Sequence, residues 1–153
     1  MSLTGRRVVL WFLSALAAVI GVWSMVFPLE WYETFPDGSA TWGFGPWIRL
    51  DGPFNEHLIR DVGAMYLALA GAGTVAALSR SLTAARAVAV AWIVFSAPHL
   101  VYHLGHLHGL ATLDAVAEPI SLALTLVLPI PLLFGAWAKA DAQAAPPTTS
   151  GCA

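Results

Sequence analysis

The chain has 153 residues, 58% of them hydrophobic and only 10% charged, with a mean hydropathy of +0.73. A water-soluble domain carries about 25% charged residues, so this chain lacks the polar surface to coat a globule, and membrane insertion is the economical explanation. A net charge of −2 and a pI near 6.2 leave no electrostatic case for nucleic acid, and the single cysteine, Cys152, forms neither an internal disulfide nor a metal site by itself.

Crossing the hydrocarbon as a helix takes roughly 20 apolar residues, and four stretches qualify, at about 8–27, 58–78, 85–106 and 115–137. The expected fold is an all-α, four-transmembrane-helix bundle with one long external loop between the first and second helices. The first stretch, VVLWFLSALAAVIGVWSMVF, follows Arg6 and Arg7. Its small-x-small candidate for signal cleavage, Ala15-Leu16-Ala17, lies inside the apolar run, so the segment reads as an uncleaved signal anchor. The loop that follows carries Trp31, Tyr32, Trp42 and Trp47, which suit an interfacial aromatic belt. Within it LEWYETF reads as a short helix on the membrane, and Pro36-Asp37-Gly38 and Asp51-Gly52-Pro53 read as turns. Proline is tolerated in a first helical turn, so the second helix is expected to begin at Pro53, with Asp51 as a cap.

Basic residues orient the spans. With four alternating crossings, Arg6, Arg7, Arg80, Arg86 and Lys139 share one side, the cytoplasmic one, and only Arg49 and Arg60 fall opposite. Both termini are then cytoplasmic in a cell-membrane protein. The tail, residues 139–153, is rich in Ala, Pro and Thr and is expected to be disordered.

Three spans carry polar residues at helical spacing in their outer halves. The third aligns Ser96, His99, His103 and His106, within the segment PHLVYHLGHLH that holds four of the five histidines. The fourth aligns Asp114, Glu118, Ser121 and Thr125. The second aligns His57 and Asp61 and continues into Ala64, Ala68 and Ala72, a small-residue stripe suited to close helix packing. Glu56 and Arg60, four apart, are placed for an ion pair. Ionisable groups facing lipid cost at least about 2.5–3.5 kcal/mol near the bilayer centre, which favours turning these stripes inward onto one another.

Three functions fit such a chamber. Histidines four apart reach one ion, and carboxylates supply further ligands. His99, His103, Asp61 and Glu118 are therefore the candidate central ligands for a divalent transition metal, with His57 and His106 as ligands or supports. A haem between His57 and a third-helix histidine is the variant of this reading. Alternatively the chamber only fixes helix packing, as in a non-catalytic subunit. The third option is a proton or solute path, disfavoured because the inner half offers only small residues such as Ser14 and the run Ala70–Gly73.

The segments FNEHLIRDVGAMYLALA and PHLVYHLGHLHGL resemble motifs in small, uncharacterised bacterial four-helix membrane proteins, and the layout resembles the DoxX-like group. That resemblance covers the spans and the loop. It implies a bilayer-resident bundle, and its quinone-coupled branch implies a redox partner protein. A second copy of the chain is the other partner compatible with the small-residue stripe.

Overall fold

The computed structural model describes residues 1–38 and 42–134. Four helical stretches are long and apolar enough to cross a membrane, Leu3–Val26, Glu56–Leu78, Leu82–Leu104 and Thr112–Leu133. No strand occurs among the described residues. The chain is an all-α, multi-pass integral membrane protein.

The first crossing, α1 (Leu3–Val26), is capped by Ser2, whose hydroxyl accepts the amide of Gly5 at 3.1 Å. Two short helices follow in the loop, α2 (Pro28–Thr34) and α3 (Trp47–Leu50). The second crossing, α4 (Glu56–Leu78), begins three residues later than Pro53 predicts. Asn55 is the reason, since its side chain accepts the Leu58 amide at 3.1 Å and so fixes the start. The third crossing is α5 (Leu82–Leu104), capped by Ser81 and carrying Pro98 inside its last turns. The fourth crossing is not one helix to residue 137. It is α6 (Thr112–Val127) and a final turn α7 (Ile130–Leu133), separated at Pro129. Proline removes an amide donor and crowds the preceding turn, and LPIP supplies two. Residues beyond 134, including the tail expected to be disordered, lie outside the described residues.

Hydrocarbon chains are as apolar as leucine, so helices in a bilayer associate through close packing rather than water exclusion. The most extensive contact is between α1 and α4, and glycine makes it possible. A methyl group added to Gly21 would lie 2.9 Å from the Gly63 carbonyl oxygen, and one added to Gly63 would lie 2.7 Å from both Ser24 Oγ and Met25 Cγ. Ala64, Ala68 and Ala72, the predicted packing stripe, face outward instead. The buried face of α4 is Ile59, Gly63, Tyr66, Ala70, Gly73 and Ala77. Leu10, Leu13 and Ala17 of α1 and Val88, Ala89 and Trp92 of α5 belong to one core cluster, with Tyr66, Ala70 and Ala77 of α4.

Arginines close the helix ends. Arg7 Nε donates to the Ala77 carbonyl at 3.0 Å and Arg86 Nε to the Leu133 carbonyl at 3.1 Å, satisfying acceptors that a helix terminus leaves open. At the opposite end Arg60 donates to the Met25 carbonyl and pairs with Glu56 at 2.8 Å, as their spacing predicts.

Not every tryptophan of the loop is an exposed anchor. Trp31 and Trp47 are buried, while Trp42 is 78% exposed and fits an interfacial anchor. Phe35 joins the two buried indoles, with ring centroids 5.3 Å from Trp31 and 5.9 Å from Trp47. Such tilted and edge-on pairs add about 0.5–1.5 kcal/mol each. The result is an aromatic roof over one end of the spans.

Candidate functional site

His103 sits in the last turn of α5. Glu118 lies six residues into α6, about 9 Å along the helix at 1.5 Å per residue. The two antiparallel neighbours meet there: His103 Nδ1 is 2.8 Å from Glu118 Oε1, with side chains only 8% and 5% exposed. An N–H donated to a carboxylate at this distance is strong, and it fixes the ring tautomer. When the imidazole is neutral, its lone pair is on Nε2.

His99 lies one turn before His103, half-buried, with ring centroids 4.7 Å apart and Phe95 on its other side at 5.1 Å. His106 falls beyond the end of α5. It stacks on Tyr102 at 4.0 Å, and its Nδ1 lies 2.7 Å from the Tyr102 carbonyl oxygen, out at the surface. His57 and Asp61 pair with each other at 3.4 Å, but their side chains are 88% and 62% exposed. They lie two residues from Ile59 and Gly63 of the buried face, about 200° round the helix, so they point away from the chamber. Of six candidate ligands, then, the structure brings His103 and Glu118 into contact and sets His99 beside them. Among the described residues no group of three or more His, Cys, Asp or Glu side chains is arranged to hold a metal ion.

Beneath the roof a cavity of about 330 Å³ opens beside this pair. Its back wall is Val62 and Tyr66 of α4 with His99 and His103 of α5. Leu16, Val19, Ile20 and Trp23 of α1 form one flank, and Glu118, Ser121, Leu122 and Thr125 of α6 form the other. Trp31, Phe35 and Trp47 close the top. Trp31 is 5% exposed, and its indole N–H has no acceptor among the described residues. The volume lies at the small end of the range for ligand sites, as does the recipe of apolar walls with a few polar groups.

The roof is pinned by a residue that the sequence places on the α6 stripe but does not assign to the site. Asp114 is buried; it accepts the Trp47 indole N–H at 2.8 Å and the Gly45 amide at 3.1 and 3.2 Å. Gly45 allows that approach without adjustment, because an added methyl would stand 3.1 Å from the carboxylate. Spacing on α6 hints at Asp114, but no pattern in the loop marks Trp47 as its partner.

Asp51 ends α3 at the rim of the same region. Lost hydration raises its carboxyl above the ordinary 3.8, against the opposing pull of His103 on α5 and of His106 just beyond its end, and Glu118 on α6 repels it. A raised carboxyl stabilises the fold fully below 3.8, and that contribution is lost as pH climbs through the folded-state value. Asp51→Asn should therefore match the parent protein in thermal midpoint at about pH 3 and exceed it at about pH 7. A gap that does not change with pH would count against this assignment.

No family model, no curated protein and no solved structure matches this chain. The four long apolar helices support a small four-span membrane protein of no identified family, and the DoxX-like resemblance finds no support.

Proposed function

We propose that this chain binds a small lipophilic molecule in the roofed cavity and exchanges a proton with that molecule's polar head. One observation carries the reading: a buried histidine–carboxylate pair at 2.8 Å opens onto an otherwise apolar, aromatic-walled cavity. Burying an ionisable pair in a membrane protein is costly unless it has a task or full compensation. With His103 Nδ1 and one oxygen of Glu118 spent on each other, the Nε2 of a neutral imidazole and the second carboxylate oxygen are the pair's remaining acceptors, so the complementary head group is a donor, an alcoholic or phenolic hydroxyl.

The proton chemistry follows from the geometry. The ligand O–H bond breaks toward His103 Nε2, its electron pair stays on oxygen, and Glu118 stabilises the imidazolium that forms. A positioned histidine held in one tautomer by a carboxylate is the usual arrangement for such a base. The Trp31 indole N–H is a donor on the same cavity wall.

The arginines Arg6, Arg7, Arg80 and Arg86 are read as cytoplasmic. The chamber then lies at the external side, with both termini inside; Lys139, which joins that count in the sequence, is outside the described residues.

The test uses tritiated para-hexylphenol and the protein reconstituted in nanodiscs, with empty nanodiscs as background. Saturable binding to the parent protein that is lost in His103→Phe is the expected result. Binding no greater than background, or binding unchanged in His103→Phe, sinks the proposal. A metal at the His103–Glu118 pair is the second reading, favoured by the 4.7 Å approach of the His99 ring, although no three such side chains among the described residues are arranged to hold one. Elemental analysis of untagged protein decides it: near-stoichiometric iron, copper or zinc, abolished by His103→Ala, would support a metal or haem site instead.

A further inference from the structure

We infer that the ligand reaches the chamber sideways from the bilayer, through an opening between α1 and α6, and is therefore a membrane-dissolved molecule rather than an aqueous solute. This rests on the ligand-binding reading above. The ring of crossings is not closed: α1 packs extensively on α4, α4 on α5 and α5 on α6, but α6 makes no comparable contact with α1. The two residues of α6 that are fully buried are Asp114 and Glu118, both in its first two turns. Below them Ser121, Leu122 and Thr125 are only half-buried, although they line the cavity.

Across the gap Val19 lines the same cavity and is 64% exposed, so the chamber runs out to the flank of the protein at that point. A second, shallower groove shares Val19 and Trp23 and continues over Val22 and Phe27 to Glu30 at the head of α2. This apolar track joins the depth of the chamber to the interface along the outside of α1.

The aqueous side is shut by comparison. Trp31 and Trp47 are 5% and 7% exposed, and Asp114 holds the loop down through three hydrogen bonds. Tyr32 adds a hydroxyl donated to the Gly52 carbonyl at 2.8 Å, tying α2 to the far end of the loop. A solute arriving from water must break these contacts, while a lipophile moving along α1 need break none.

Two tritiated phenols with the same head separate the routes in nanodiscs: para-hexylphenol, which partitions into the bilayer, and para-phenolsulfonate, which stays in water. The inference expects saturable binding of the first and none of the second. Val19→Trp, which fills the mouth from a lipid-facing position, should abolish hexylphenol binding while retaining the parent's thermal midpoint. Val8→Trp, equally exposed on α1 but far from the opening, should bind as the parent does. Binding of the sulfonate, or hexylphenol binding that survives Val19→Trp, overturns lateral entry and leaves the site itself standing. Failure of both phenols to bind the parent protein removes the site and this inference together.

Discussion

Glu118→Leu and His103→Leu should each unfold the protein several kilocalories per mole more easily than the parent, whereas the double variant should lose less than the sum. The reason is the environment of the pair. Each side chain is under 10% exposed and each has the other as its charged or strongly polar partner at 2.8 Å. Removing one leaves the survivor buried with no compensation, which costs about 3–5 kcal/mol, while replacing both with apolar groups of similar size is often near neutral. The measurement is a double-mutant cycle on denaturant unfolding in detergent micelles. A coupling of about 1 kcal/mol or more identifies an interacting pair, and strict additivity would dissolve it. The cycle also separates stability from function. In the double variant the fold is restored while the acceptors that recognise a hydroxyl are gone, so hexylphenol binding should stay absent. A purely structural pair predicts that binding returns with stability.

The His103–Glu118 contact was half legible in the sequence. Both residues fall on stripes that helical spacing lays out, and the third and fourth spans are joined by a short connection, so they pack as antiparallel neighbours. His57 and Asp61 obey the same spacing rule and yet face outward. Depth does not separate them, for Asp61 is five residues into α4 and Glu118 six into α6. The close approach of Gly63 to α1 fixes which face of α4 turns inward, and His57 and Asp61 are left on the other side near interfacial water, where exposure carries little penalty. Periodicity therefore identifies a face, but packing against the neighbours decides which way that face turns. The interruption of the fourth span has a clearer cause, for the two prolines of LPIP were in view and the apolar run concealed their effect. The roof was least legible. Tryptophans in a loop between membrane spans read as interfacial anchors, and nothing near Trp47 in the sequence announces an acceptor 67 residues further along.

The packing of α1 on α4 leads to the second large effect. Gly63→Val should prevent stable folding or lower the thermal midpoint severely, and Gly73→Val should act in the same direction. At Gly63 the added atoms would meet Ser24 Oγ and Met25 Cγ at 2.7 Å and the Met25 backbone nitrogen at 3.0 Å. The Met25 side chain can swing aside, but the backbone of α1 cannot retreat without separating the two helices. At Gly73 the obstruction is Ser14 Oγ, well inside contact distance, with the Leu10 carbonyl behind it at 3.8 Å. Overpacking of this kind costs about 1–3 kcal/mol where a core can adjust, and more is expected where the clash is with backbone. Bilayer helices have no hydrophobic gain with which to offset the lost approach. Ala68→Val and Ala72→Val provide the contrast, since both positions face outward and should change stability by no more than about 0.5 kcal/mol. The alanine stripe and the glycine face lie on the same helix and carry residues of nearly the same size. Thermal midpoints of the four variants therefore decide which face holds α1. Sensitivity at Ala68 and Ala72 with tolerance at Gly63 and Gly73 would mean that α4 is rotated from the orientation described. That rotation would also move Tyr66 off the back wall of the cavity. Helix packing and ligand site consequently stand or fall on the same rotation, and four valines are enough to measure it.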